Sequence, residues 1–503
     1  MAPYFLRNLV PRREKKRTST KSLLTALSEL TWVQWAMFWS GWLAWTCDAI
    51  DFFSVSLSVT NLQTQFNRST SDITTAITLT LLFRSLGAVI FGVLSDRFGR
   101  KWPLVGNLVL VSILELGVAF VQTFPQFLAL RSLFGIGMGG IWGGAVATAM
   151  ENLPVETRGL ASGFLQQGYA VGYLIAAVIN LFLVPETKES WRSLFWCAAG
   201  ISMFAAILRA VLPESELFLK AKEAQRLRGE STTTRTRVFI HETGVMLRKH
   251  WLLCIYAILF MTGFNFLPHG SQDLYPTYLQ TSKGFSSHDA TVATIIGNCG
   301  ALAGGIVAGF SSQYIGRRLA IVVCIIIIGA FIPLWIIPTS FAGLAAGAFC
   351  IQFGVQGALG VIPIQLSEMS PPAFRATFPG VAYQIGNMVS SASAQIEATA
   401  GGNNLKTTII KNGKPTIVPD YATVQGILIG VASAFVLFMT IIGPENHGSH
   451  FERAKIAFEQ GAGEEEAYAD DEDESQEPRS ATDSVDVKRP ESFEEKEKTS
   501  ESV

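Results

Sequence analysis

The stretch GVLSDRFGRK, Gly92–Lys101, returns 217 residues later as GFSSQYIGRR, Gly309–Arg318. Both copies open on glycine, end on basic residues and join two long apolar runs. The same offset pairs Glu151 with Glu368, Pro154 with Pro371, Arg158 with Arg375, Gly163 with Gly380 and Gln167 with Gln384. A constant offset across two loops and the start of the following apolar run marks an internal duplication. Duplicated halves of this kind pack about a pseudo-two-fold axis along the membrane normal, with the solute site between them near mid-membrane.

The runs that these loops join are membrane material. Hydrophobic residues make up 49% of the 503, charged residues 16%, and mean hydropathy is +0.33, too apolar for a soluble chain. A spanning helix needs about 20 mostly apolar residues. Twelve stretches qualify: 33–58, 72–94, 103–121, 125–150, 158–183, 191–212, 252–281, 288–312, 319–338, 341–367, 374–398 and 422–443. The expected fold is an all-α membrane protein of twelve transmembrane helices in two six-helix pseudo-symmetric halves, 31–212 and 251–443. A basic N-terminal tail (1–30), a linker (213–250) and an acidic tail (444–503) complete the chain.

Charge sets the orientation. Arg7, Arg12, Arg13, Lys15, Lys16, Arg17 and Lys21, then Arg97, Arg100 and Lys101, then the basic residues of 213–250 all fall on one side of such a bundle. The positive-inside rule makes that side the cytoplasm and places both termini there. The sequon Asn67-Arg68-Ser69 falls on the opposite side. No cleavable signal is read at the N-terminus. The acidic tail, with GEEEAYADDEDESQE, cannot bury a core and is expected to be disordered. Its lysines, among them Lys455, Lys488, Lys496 and Lys498, are expected to meet ubiquitination and trafficking machinery.

Several classes drop out. The six cysteines include no CxxC pair, so no disulfide or metal site is expected. There is no GxxxxGK[S/T] loop, so no nucleotide drives the protein, and no nucleophile–base constellation makes it an enzyme. No cofactor and no nucleic-acid partner are expected. The partners implied are the lipid bilayer, a small solute and protons, with the proton gradient as the energy source.

GxxxDRxGRK between the second and third spans resembles the signature of the major facilitator superfamily. Arg131-Ser-Leu-Phe-Gly135-Ile-Gly137-Met-Gly139 is similar to its RxxxGxGxG segment, and the resemblance covers 33–443. The physics of the motif is readable on its own. Gly92 and Gly99 permit close packing and a tight turn. Asp96 can pair with a basic residue or cap a neighbouring helix. Arg97, Arg100 and Lys101 hold the loop in the cytoplasm. Asp96, Glu151 and Arg158, with the mates Glu368 and Arg375, form either a latch on the cytoplasmic side or plain helix-end anchors; none is expected to touch substrate.

A second stretch carries the solute chemistry: FNFLPHGSQDLYPTYL, Phe264–Leu279. Asn265, His269, Asp273 and Thr277 stand four residues apart, about 400° of helix, so they form one slowly drifting stripe with Gln272 beside it. Ionisable groups are costly in hydrocarbon and mark functional sites. Pro268 is expected to kink the helix and free the carbonyl of Phe264, which is tolerable only beside protein or a wet cavity. The alternative is a buried histidine bonded to Asp273 for structure alone. Elsewhere, Arg84 suits a carboxylate ligand or an acid such as Asp48 or Asp51. Gln384, Asn387 and Ser391 share a face that either orients a polar ligand or glues helices together. Asp48 and Asp51 are helix partners or a second proton site.

The stretch is similar to the motif N-x-x-[S/T]-H-x-[S/T]-Q-D-x-x-x-T of the fungal lactate/pyruvate:proton symporters, the JEN-type carboxylate permeases of the sialate:proton symporter branch. Asn265, His269, Ser271, Gln272, Asp273 and Thr277 match; Pro268 departs from the usual Ser or Thr. The resemblance implies a multi-pass plasma-membrane symporter importing short-chain carboxylates such as lactate and pyruvate, with acetate or dicarboxylates as further candidates. Arg84, Asn265, His269, Gln272, Asp273, Thr277, Gln384 and Asn387 would bind substrate, and His269 with Asp273 would couple the proton. Two rivals stand: a carrier of another solute such as a sugar, since Leu212–Glu216 resembles the PES element of sugar porters, and a non-transporting nutrient receptor.

Overall fold

The computed structural model describes residues 22–150, 153–154, 156–214, 218–219, 232–371, 374, 377–411 and 414–445. Glu151, Arg375, residues 1–21 of the basic N-terminal tail and residues 446–503 of the acidic tail lie outside the described residues. The first half runs α1 (Leu23–Ser28), α2 (Trp32–Phe66), α3 (Thr70–Phe98), α4 (Lys101–Val118), α5 (Phe124–Gly139), α6 (Ile141–Met150), α7 (Arg158–Gln166), α8 (Gly168–Phe182) and α9 (Arg192–Val211). After α10 (Thr232–Lys249) come α11 (Trp251–Gln272), α12 (Tyr275–Thr281), α13 (Ser287–Ile315), α14 (Arg317–Ile336), α15 (Phe341–Gly360), α16 (Ile362–Met369), α17 (Thr377–Ser390) and α18 (Ser393–Ile396). A π-helix (Glu397–Asn404), a hairpin of β1 (Lys406–Lys411) and β2 (Lys414–Pro419), and α19 (Tyr421–Ile442) close the bundle.

Local sequence sets the ends. Thr31 with Gln34, and Ser69 with Asp72, form capping boxes that start α2 and α3. Gly99 and Gly316, 217 residues apart, end α3 and α13 at φ 101° and 95°, a backbone region that other residues rarely enter. Among the described residues, ten helical segments are long and apolar enough to cross a membrane. The other two expected spans, the 35-residue α2 and the stretch from α17 into the π-helix, are helical but more polar. α2 buries Asp48 and Asp51; the other stretch buries Gln384, Asn387 and Glu397.

The halves meet along two seams related by the repeat: α3 against α17, and α7 with α8 against α13. Small residues let the backbones approach. A Cβ on Gly163 would fall 3.1 Å from the Cα of Gly309, and one on Gly380 3.2 Å from that of Gly143. At the hairpin end, Lys283 Nζ donates to the carbonyls of Ile336 and Pro338 (both 2.8 Å), and Ser282 Oγ donates to Pro419 O (2.7 Å). Burial there lowers the Lys283 ammonium below the usual lysine range.

The helix holding the stripe does not give way at Pro268. α11 runs through it to Gln272, and the interruption falls at Asp273–Leu274, just before Pro276. The carbonyls near this break find other donors: Tyr173 OH of the first half donates to Gln272 O (3.3 Å), and Gln352 Nε2 donates to Ser271 O (3.4 Å). Relief of the broken ladder by neighbouring protein is what a membrane interior demands.

Candidate functional site

At the centre of the second half, His269 bridges α11 and α17. Its Nδ1 lies 2.9 Å from Asp273 Oδ2 and its Nε2 lies 3.0 Å from Asn387 Oδ1. Asn387 Nδ2 donates to Gln384 Oε1 (2.7 Å), which orients the Asn387 oxygen toward the ring. Both ring nitrogens therefore face acceptors, the pattern of an imidazolium, which carries two donors; a neutral ring carries one. Turning both amides over would present Asn387 Nδ2 to Nε2 and suit the neutral ring. The network can thus accept either protonation state through paired amide rotation, with Asp273 fixed as the partner of Nδ1. Asp273 Oδ1, Asn265 Oδ1 and Gln384 Nε2 are buried without a partner among the described residues.

Aromatic rings from the first half roof this site. Phe52 stands edge-on to His269 at 5.7 Å between centroids, Phe53 stacks on Tyr173 at 3.8 Å, and Trp142 stacks on Tyr383 at 4.2 Å across the halves. The first half also buries two ion pairs, Arg84–Asp48 at 2.5 Å and Arg131–Glu115 at 2.8 Å. Asp51 accepts from Ser202 (2.9 Å) close by. Among the described residues Arg84 Nε and Asp48 Oδ1 have no partner, and the pair is joined by a single contact.

The loops of the repeat form a charged layer at one end. Asp96 Oδ1 accepts from Arg100 Nη1 (2.8 Å), while its Oδ2 accepts from the backbone N of Thr377 (3.1 Å) and from the Thr377 hydroxyl. Thr377 opens α17, so Asp96 caps a helix of the opposite half, where its charge meets the positive end of the helix dipole. Glu214 accepts from the amides of Arg100 and Lys101 (3.1 and 3.0 Å). In the second copy Arg317 holds Glu368 in a two-point bridge (3.1 and 3.2 Å), and its amide donates to Glu445 (2.7 Å). Burial raises the Glu445 carboxyl above its ordinary range. Arg97 lies over the Phe98 ring at 5.1 Å, and Arg158 Nε donates to Leu153 O (3.0 Å).

The expected site residues divide. His269, Asp273, Asn387 and Gln384 form one connected chain, and Asn265 joins from the side by donating to Tyr383 O (2.9 Å). Gln272 turns away to Gln352 of α15 (2.6 Å), and Thr277 is buried in α12, beyond the helix break. Arg84 meets Asp48, and among the described residues no hydrogen bond joins that pair to His269. Glu115 and Glu397 were not singled out, although each is a carboxylate inside an apolar run, which is signal enough. Trp142, Tyr383 and Gln352 carry no such mark.

The sequence model of the Major Facilitator Superfamily matches residues 37–394. The carboxylic acid transporter protein homolog of Saccharomyces cerevisiae is 33% identical over 431 residues, 83% of this chain and 69% of that protein. The cis,cis-muconate transport protein of Acinetobacter baylyi is 27% identical across 75% of this chain and 89% of its own. Among solved structures, the proton:xylose symporter XylE matches 83% of this chain and 98% of its own with a TM-score of 0.63. At 17% identity that likeness speaks for the fold alone.

Proposed function

The chain belongs to the Major Facilitator Superfamily, and from that premise we propose that it imports short-chain carboxylates, lactate or pyruvate among them, together with protons across a fungal plasma membrane. Both termini and the charged loop layer face the cytoplasm in this reading. The observation that carries it is the His269 ring, whose two nitrogens face Asp273 and Asn387. His269 is the group that would take up and release the proton, with the Asp273 carboxylate beside it as counter-charge. A protonated His269 facing an acidic exterior attracts a carboxylate, and its deprotonation on the cytoplasmic side favours release. Arg84, held by one contact, keeps guanidinium donors free for a two-point grip on the anion. Asn265, Gln272, Thr277, Gln384 and Asn387 orient the solute, and the Asp96–Thr377 cap, with Arg97, Arg100, Glu151, Arg158, Glu368 and Arg375, seals the cytoplasmic side. The acidic tail sets residence at the surface through ubiquitination.

A yeast relative whose name says carboxylic acid supports the substrate class. The test is uptake into proteoliposomes under an inward proton gradient. Labelled lactate should accumulate and labelled glucose should not. Glucose uptake without lactate uptake would move the protein to the sugar carriers, and absence of counterflow for any solute would make it a receptor.

A further inference from the structure

Glu397 is a buried carboxylate that the site described above leaves unused. It is 0% exposed. Asp48, Glu115 and Glu368 each pair with an arginine and Asp273 pairs with His269, but among the described residues Glu397 meets only neutral groups. Its Oε2 accepts from Gln425 Nε2 of α19 (2.8 Å) and its Oε1 from Ser393 Oγ (3.3 Å). Gln425 is held in turn by Trp335 Nε1 (3.2 Å). A carboxylate in hydrocarbon with no cation beside it is stable when it binds a proton and costly when it does not.

Its position suits a proton on its way inward. Glu397 opens the π-helix, a geometry that is rare and concentrated at functional sites. From Asn387 it lies ten residues on, about 15 Å toward the hairpin end at helical rise; Asp273 lies four residues beyond His269 in the same direction, about 6 Å. Glu397 therefore stands between the His269–Asp273 pair and the outer face. Buried Ser390 and Ser393 occupy the interval on the same stretch of chain. The charge acting on Glu397 is that of Asp273 of α11, and Glu397 in turn acts on Tyr421 of α19. Across the seam α3 brings Ser71 and Thr75, which bond Gln395, and the half-buried Asp72, which is held by Ser69.

We propose that Glu397 is the proton-loading residue of the outer side. The proton of an external hydronium binds its carboxylate, leaving water behind. The neutral acid then gives the same proton to Asp273 or His269 and returns to carboxylate. This rests on the proton-coupled reading given above, so the test separates the two. Full-length protein and Glu397→Gln are compared by infrared difference spectroscopy in proteoliposomes. Wild type should show a protonated-carboxyl band that is lost in E397Q and that titrates between about pH 4 and 9. Lactate is the transport probe. E397Q should lower the initial rate of proton-driven uptake by at least about tenfold at neutral external pH, less than a positioned proton-transfer group usually contributes because water supplies a slower route. The rate should recover at acidic external pH, and counterflow at equal pH should be unchanged, with Glu397→Asp restoring part of the loss. A carboxyl that keeps one protonation state throughout, or E397Q with the wild-type pH profile, overturns the proposal. If wild type moves no lactate, the carboxylate reading fails, and the infrared titration still decides Glu397.

Discussion

The two halves descend from one repeat but fill their centres differently. At the offset of 217, Asn265 corresponds to Asp48 and His269 to Phe52, and these corresponding helices face each other, with the Phe52 ring against the His269 ring. The first half buries guanidinium–carboxylate pairs, Arg84–Asp48 and Arg131–Glu115. The second buries His269, Asp273 and a row of amides. Arginine keeps its proton at any ordinary pH, whereas histidine does not. Duplication thus left the centre of one half with arginine–carboxylate pairs and the centre of the other with a histidine–carboxylate pair set among amides.

The largest expected effect strikes the half that holds the histidine. Asp273→Asn should abolish uphill lactate accumulation, with initial uptake falling roughly a hundredfold or more, while the protein still reaches the surface and exchanges label by counterflow. Uphill accumulation at the wild-type level would show that the two halves do not differ in this way. On the half that holds the arginine pairs, Arg84→Ala leaves Asp48 buried and unpaired, which should cost about 3–5 kcal/mol of stability, read from thermal melting in detergent. Adding Asp48→Asn should recover the melting temperature but not uptake. Recovery of both would reduce the pair to scaffold, and Arg84→Lys should not rescue because an ammonium lacks the two-point fork.

A smaller effect sharpens the contrast. His269→Gln keeps an amide at the ring position but removes the titration, so uptake should lose its dependence on external pH, which for wild type rises about tenfold per unit where one proton is bound in the rate-limiting step. A retained wild-type profile would move the proton to Asp48 or Asp51. The smallest effect concerns the loops. Thr377→Val removes the hydroxyl that bonds Asp96 across the halves. It should cost about 1 kcal/mol, seen as faster labelling of a cysteine placed behind the seal.

The repeat, the polar stripe and the His269–Asp273 pair were legible because each rests on spacing within one helix or one offset within the chain. What could not be read is what distant segments bring. Thr377, Glu214 and Glu445 are ordinary residues until the fold sets them against Asp96, Arg100 and Arg317. The helix break shows the same limit. Pro268 removes one hydrogen bond, which α11 tolerates; the ladder yields at Asp273–Leu274, where Tyr173, 99 residues away in sequence, accepts the role of donor to Gln272. Thr277 left the stripe for that reason, and Gln272 was drawn to Gln352 by a helix that local pattern does not announce. Glu397 was legible as a carboxylate but not as one without a cation, since that needs every neighbour at once.

The glycines of the two seams have a mechanical consequence. A joint between moving bodies works by clearance. At one joint a Cβ on Gly309 would fall 2.6 Å from the Cα of Gly163; at its counterpart a Cβ on Gly92 would fall 3.4 Å from Thr377, an ordinary contact distance. Where glycine meets glycine, no side chain has to change rotamer as the surfaces slide, so friction there comes from backbone alone. The first joint has no slack for a methyl group and the second has nearly enough. One methyl at Gly309 would press on the backbone of Gly163 and Gly159 in the opposite half, far in sequence from His269 and Asp273.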